Sequence, residues 1–150
     1  MRALLDVNVL IALLDGAHIM HDTAVNWLKE EISHGWASCP IAENGVIRVM
    51  SQPAYPNTQP AAQVALRLAE ACSTDAHCFW PHDFSLLSGD LVEWRRLLGH
   101  RQVTDAYLLA TAVRHGGRFV TFDRRIDTDL VRGAARELSL IHISEPTRPY

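Results

Sequence analysis

The chain is poor in lysine, in cysteine and in long apolar runs, and each shortage removes a class of protein. Lys29 is the only lysine; the other basic residues are arginines. The formal charge is −3, so no global basic field gathers nucleic acid, and any anion-binding region must be local. Cys39, Cys72 and Cys78 form no CxxC pair and leave an odd count, which argues against a disulfide framework or a zinc site and for a reducing cytoplasm. No stretch approaches the roughly 18 apolar residues of a membrane span. The N-terminus does not read as a signal peptide, because Asp6 and Asn8 interrupt its apolar region and no small-residue cleavage site follows. There is no internal repeat, low-complexity tract or interdomain linker. What remains is 150 residues, 48% hydrophobic and 21% charged, the size and balance of one globular domain.

Apolar periodicity predicts alternating strands and helices. RALLDV reads as a buried strand, then NVLIALLD as a helix capped by Asn8 and stopped by Gly16. DTAVNWLKEEIS places Ala24, Val25, Leu28 and Ile32 on one helical face. GWASCP is a strand, IAENGVIRVMS a helix weakened by Gly45, and QPAYPNTQP a proline-crowded loop. AAQVALRLAEAC reads as a helix, HCFWP as a strand, and SGDLVEWRRLLG as a helix capped by Ser88. TDAYLLATAVRHGG is a helix starting at Thr104 or Asp105, and RFVTF is a strand. The alternation predicts an α/β fold, a three-layer α/β/α domain with a mostly parallel central sheet.

In such sheets ligands lie beyond the carboxyl ends of the strands. Asp6 and Asp123 follow strands directly, and Asp105 and Glu43 lie early in helices. Taken singly, each has an ordinary reading as a turn, cap or first-turn acid. Gathered at one sheet edge, they would repel one another unless protonated or bound to a cation. Oxygen-only ligands suit Mg²⁺ or Mn²⁺, and magnesium on carboxylates commonly takes substrate phosphate as a further ligand. The chemistry indicated is hydrolysis of a phosphate ester.

LLDVNVLIALL, ENGVIRVMSQPAYPN and GHRQVTDAYLLATAVRHGGRFVTFDRR resemble the PIN-domain ribonucleases, specifically the VapC toxins of toxin–antitoxin pairs. The resemblance runs from Met1 to about Ala134. It implies that Asp6 and Asp105 bind the metal, that Glu43 is the acid after the second strand, and that Asp123 is a more peripheral fourth acid. Asn8 stands where relatives carry Ser, Thr or Asn, and Thr104 supports Asp105. The resemblance further implies a Mg²⁺-dependent endoribonuclease, with Mn²⁺ as a possible substitute. It implies a homodimer held in check by a VapB-like antitoxin whose C-terminal segment crosses the acidic site. Glu43 would orient or deprotonate the attacking water.

Arg101, Arg124 and Arg125 are the local candidates for contacting RNA, with Arg95 and Arg96 behind them. Trp27 and Trp94 read as core or interface, and Tyr55, in the proline-rich loop, as freer. The histidines form no spaced metal-binding pair. A receiver-type phospho-acceptor domain would need a late lysine, which is lacking. The alternative function is a catalytically silent PIN-like RNA-binding or scaffold module, although silent members typically lose acids. Finally, LSLIHISEPTR (138–148) resembles the in-frame translation of a sequencing adapter. The expected native domain is therefore residues 1–137, with 138–150 a non-native tail replacing a continuation of the chain.

Overall fold

The computed structural model describes residues 1–135 and 140–143. Its sheet contains β1 (Ala3–Leu5), β2 (Trp36–Ser38), β3 (His77–Phe79), β4 (Arg118–Thr121) and β5 (Leu140–His142). The helices are α1 (Val7–Leu14), α2 (His21–Glu31), α3 (Pro40–Met50), α4 (Ala61–Cys72) and α5 (Arg101–Arg114). The strand order is β3-β2-β1-β4-β5, and every pairing is parallel.

This order positions the site. From β1 to β2 to β3 the chain steps one way across the sheet, through α1–α2 and then α3–α4. It then returns through α5 to β4 on the other side of β1. Parallel crossovers are right-handed, so reversing the direction of travel places α5 on the opposite face from the first four helices. The packing agrees: α1 touches α2 and α3, α3 touches α4, and α5 lies on β1 and β4. Strands sandwiched in this way need apolar residues on both faces, and Ala3, Leu4, Leu5, Phe119 and Val120 are all fully buried or nearly so. The reversal opens a crevice between the carboxyl ends of β1 and β4, where the residues after both strands meet.

Several local expectations are corrected. Asp6, not Asn8, caps α1: its Oδ1 accepts the Val7 N–H at 2.8 Å. The helix ends on Asp15 rather than Gly16, with the Asp15 N–H on the Ile11 carbonyl. Ile32 falls in a 3-10 turn after α2 and is exposed, off the packed face that holds Ala24. SGDLVEWRRLLG is not an α-helix. Val92 forms an antiparallel bridge with Val131, the Glu93 N–H bonds the Leu130 carbonyl, and only Trp94–Arg96 turn as a 3-10 helix. Arg132 locks the arrangement by pairing with both Asp90 and Glu93. These partners lie some forty residues downstream, and a helical backbone could not reach them. Neither Thr104 nor Asp105 caps α5, which begins at Arg101.

Tyr55 is not free. Its hydroxyl donates to Asp15 Oδ2, and Asn57 Nδ2 donates to Asp15 Oδ1 at 2.8 Å, so the proline-rich loop is tied to the end of α1. Of the segment set aside as foreign, Leu140–His142 pair with β4, and Ile143 is buried with its N–H on the Thr121 carbonyl. The rest of that segment lies outside the described residues.

Gly45 marks where α3 crosses the start of α1. A Cβ there would stand 2.7 Å from Val7 Cγ2, and the β-branched valine has little rotamer freedom to yield. Gly45→Ala recovers about 1 kcal/mol of helix propensity but overpacks at a cost of ~1–3 kcal/mol. The expected net result is destabilisation of about 1 kcal/mol in urea unfolding, and a more stable variant would show that the crossing is loose.

Candidate active site

Asp6 sits at the reversal point, 7% exposed. Its own N–H bonds the Val120 carbonyl at 2.9 Å, which carries the β1–β4 pairing one residue beyond the strand. One carboxylate oxygen caps α1, and the other accepts the Thr121 hydroxyl at 2.7 Å. Burial drives the Asp6 carboxyl upward, opposed by the hydrogen bonds from Thr121 and Val7, and the charge of Asp123 adds to the rise.

Thr121, fully buried at the end of β4, is the residue sequence reasoning missed at this site. Its Oγ1 donates to Asp6 and accepts the Asp123 N–H at 3.0 Å, so one hydroxyl fixes two of the acids. Asn8 reaches the same oxygen through Nδ2 at 3.5 Å and receives the Phe122 N–H at 3.5 Å. Asn8 thus links α1 to the end of β4 instead of capping the helix. The signal in the sequence was a hydroxyl residue two positions before Asp123, at the strand's last position.

Because α5 begins early, Asp105 lies in its second turn, where no capping duty engages it. Burial pushes its carboxyl up to about 6, helped by the charges of Asp6 and Asp123 and opposed by Arg125. Asp123 behaves oppositely. Arg125 donates to it through Nε at 3.0 Å and Nη2 at 3.1 Å, and this bidentate pair holds the carboxyl below its usual range. The structure therefore brings Asp6, Asp105 and Asp123 within mutual electrostatic reach. Thr104 is exposed beside Asp105, and its hydroxyl makes no hydrogen bond among the described residues.

Glu43 lies in the first turn of α3 and faces a different neighbourhood. Its Oε2 accepts the Ser38 hydroxyl at 2.6 Å, and His77 Nε2 lies 2.7 Å from the same hydroxyl oxygen. Buried Cys39, between the two groups, senses both Glu43 and Asp6, and burial, with their charges adding, pushes its thiol up to about 11. Glu43 is thus near the aspartates but anchored by β2 and β3.

An open cleft beside the acids is lined by Leu98, His100, Arg101, Gln102, Asp105, Asp123 and Arg125. Arg101 is exposed on this rim, and Arg125 is exposed while committed to Asp123. Arg124 is exposed on the same turn. Arg96 lies away from these, paired with Asp129 at 3.6 Å.

The PIN-domain family profile matches residues 3–128. Ribonuclease VapC44 of Mycobacterium tuberculosis is 50% identical over 137 residues, covering 91% of this chain and 96% of that protein. Ribonuclease VapC39 of the same species is 45% identical over 125 residues, covering 82% and 89%. Among solved structures, the crystal structure of VapBC2 from Rickettsia felis bound to a DNA fragment from their promoter superimposes with a TM-score of 0.62. That match covers 96% of this chain and 100% of the other at 15% identity, and so speaks for the fold. The chain belongs to the PIN-domain family and, within it, to the VapC ribonucleases.

Proposed function

We propose that this protein is a Mg²⁺-dependent endoribonuclease, the toxin of a toxin–antitoxin pair, hydrolysing RNA phosphodiester bonds. The observation that carries the reading is the convergence of Asp6, Asp105 and Asp123 at the reversal point of the sheet, two of them with carboxyls driven upward. Burial is the main cause of that rise and the neighbouring carboxylates add to it, and a divalent cation bound among them would oppose both. The donor set fits a hard cation, since all three residues offer carboxylate oxygen. Mg²⁺ is the cation proposed, with Mn²⁺ able to substitute.

Asp6 and Asp105 would hold the metal, with Asp123 supporting them from the rim. When bound, the cation supplies charge neutralisation and polarises the scissile phosphoryl oxygen. Thr121 holds Asp6 and Asp123 in register, and Asn8 braces Thr121. Glu43 gives Oε2 to Ser38, which leaves Oε1 to orient the attacking water and take its proton. In-line attack by water leaves a 5′-phosphate and a 3′-hydroxyl. Arg101 and Arg124 steer the RNA backbone, and Arg125 joins them while restraining Asp123.

The same reading includes a homodimer and a VapB-like antitoxin whose segment covers the cleft, where Leu98 offers an almost fully exposed apolar side chain. The location proposed is the cytoplasm; among the described residues no helix is long and apolar enough to cross a membrane. Residues 1–137 are proposed as the native domain, with 138–150 a foreign tail.

Asp6→Asn and Asp105→Asn are each expected to lower RNA cleavage by about 100-fold or more, with EDTA abolishing wild-type activity and Mg²⁺ restoring it. Undiminished cleavage by both variants, or full activity in EDTA, would refute the metal site. A second expectation concerns the metal-free chain. Asp105 titrates near 6 when folded against 3.8 ordinarily, so between those values the folded chain keeps a proton that the unfolded chain releases. Stability from this group therefore falls as pH rises through that window, and the full cost is present above it. Asp105→Asn should be more stable than wild type in EDTA at pH near 8, by about 1 kcal/mol after allowance for solvent screening. The gain should vanish at pH near 4, and a variant less stable at both pH values would contradict the charge shortage.

A further inference from the structure

Four elements converge on a second cluster beside the aspartates. Glu43 comes from α3, Cys72 ends α4, His77 begins β3 and Ser38 ends β2. One ligand atom from each of Glu43, Cys72 and His77 lies within 4.8 Å of the other two, and all three residues are partly buried. The Ser38 hydroxyl sits among them, 2.6 Å from Glu43 Oε2, 2.7 Å from His77 Nε2 and 3.9 Å from Cys72 Sγ. The His77 ring also lies in tilted contact with Trp36, centroids 4.5 Å apart.

Without an ion the cluster is a hydrogen-bonded chain. Ser38 Oγ donates its one proton to Glu43 Oε2, so His77 Nε2–H is the donor in the 2.7 Å contact with Ser38. A divalent cation would replace that chain: loss of the thiol proton and a change of imidazole tautomer turn Cys72 and His77 into lone-pair donors beside the Glu43 carboxylate. An oxygen, a nitrogen and a sulfur donor brought within 4.8 Å of one another from three elements are surroundings that a cation can occupy.

We propose that Glu43, Cys72 and His77 form a site for a borderline-soft divalent cation of the Zn²⁺ type, separate from the aspartates. The mixed oxygen, sulfur and nitrogen set excludes Mg²⁺ and suits zinc, with three protein ligands and a fourth position for water. Tetrahedral zinc, with Zn–N near 2.0 Å and Zn–S near 2.3 Å, sets ligand atoms about 3.3–3.7 Å apart, so side-chain movements of roughly 1 Å close the site. A carboxylate and a thiolate balance the ion's two charges, which suits partial burial. The Ser38 hydroxyl turns aside as the ion takes its place. Because Glu43 is shared, loading withdraws that carboxylate from the attacking water, a consequence that rests on the function proposed above.

The binding test needs no RNA, so it stands apart from that reading. The full chain, stripped of metal, is titrated with Zn²⁺ alone by calorimetry, and Co²⁺ loading is followed by absorbance. One zinc per chain is expected, with a thiolate-to-cobalt charge-transfer band. Cys72→Ser and His77→Gln should each weaken binding by at least about 100-fold, and Asp105→Asn should retain it. In the wild-type chain, Zn²⁺ should protect Cys72 but not Cys78 from alkylation, a readout that needs no variant to fold. Absence of zinc uptake by the wild-type chain, equal uptake by both ligand variants, or loss of uptake in Asp105→Asn would overturn the proposal.

Discussion

The site depends on the burial of Asp6 and Asp105 beside Asp123, where lost hydration and, secondarily, like charge oppose their ionisation. Reversal of strand order at β1 and β4 brings two strand ends side by side, and α5 returns over them from the opposite face. Arg125 pairs with Asp123 and only partly offsets Asp105, while Asp6 has two neutral hydrogen-bond donors, Thr121 and the Val7 N–H, against its burial. A fold stabilised by the well-buried segments around β1 and β4 can carry this unfavourable core of charge. A bound cation turns the same geometry favourable.

Thr121 shows how economically the arrangement is held. Its single hydroxyl donates to Asp6 and accepts from the Asp123 backbone, so it couples the two strand ends. Asp6 is equally divided, one oxygen to the helix and one to Thr121. Capping and site-building are therefore not alternatives for Asp6. The sequence reading set Asn8 against Asp6 for the cap because it assigned one role to each residue, whereas a carboxylate has two oxygens and several lone pairs.

The alternation of strands and helices was legible because buried parallel strands and amphipathic helices leave strong periodic marks. The acids were singled out through family resemblance and their places after strands or early in helices, and the fold brings Asp6, Asp105 and Asp123 together. The region of Leu91 to Leu97 was not, since its composition permits a helix and its backbone partners, near Val131, are far away in sequence. The zinc-type cluster was missed for a related reason. Spacing rules find ligands that are neighbours along the chain, and here Ser38 and Glu43 meet Cys72 and His77 through the β2–β3 pairing and the packing of α3 on α4. Glu43 consequently stands between two groups, the aspartates on one side and Ser38, Cys72 and His77 on the other.

The central claim is that the aspartates form a charge shortage filled by a hard divalent cation. It is tested most directly by following the Asp105 side-chain carboxyl by NMR through a pH titration, without and with Mg²⁺. The expected result is a midpoint near 6 in the metal-free chain that moves down by a unit or more when Mg²⁺ is present. A midpoint at the ordinary aspartate value, unmoved by Mg²⁺, would contradict it.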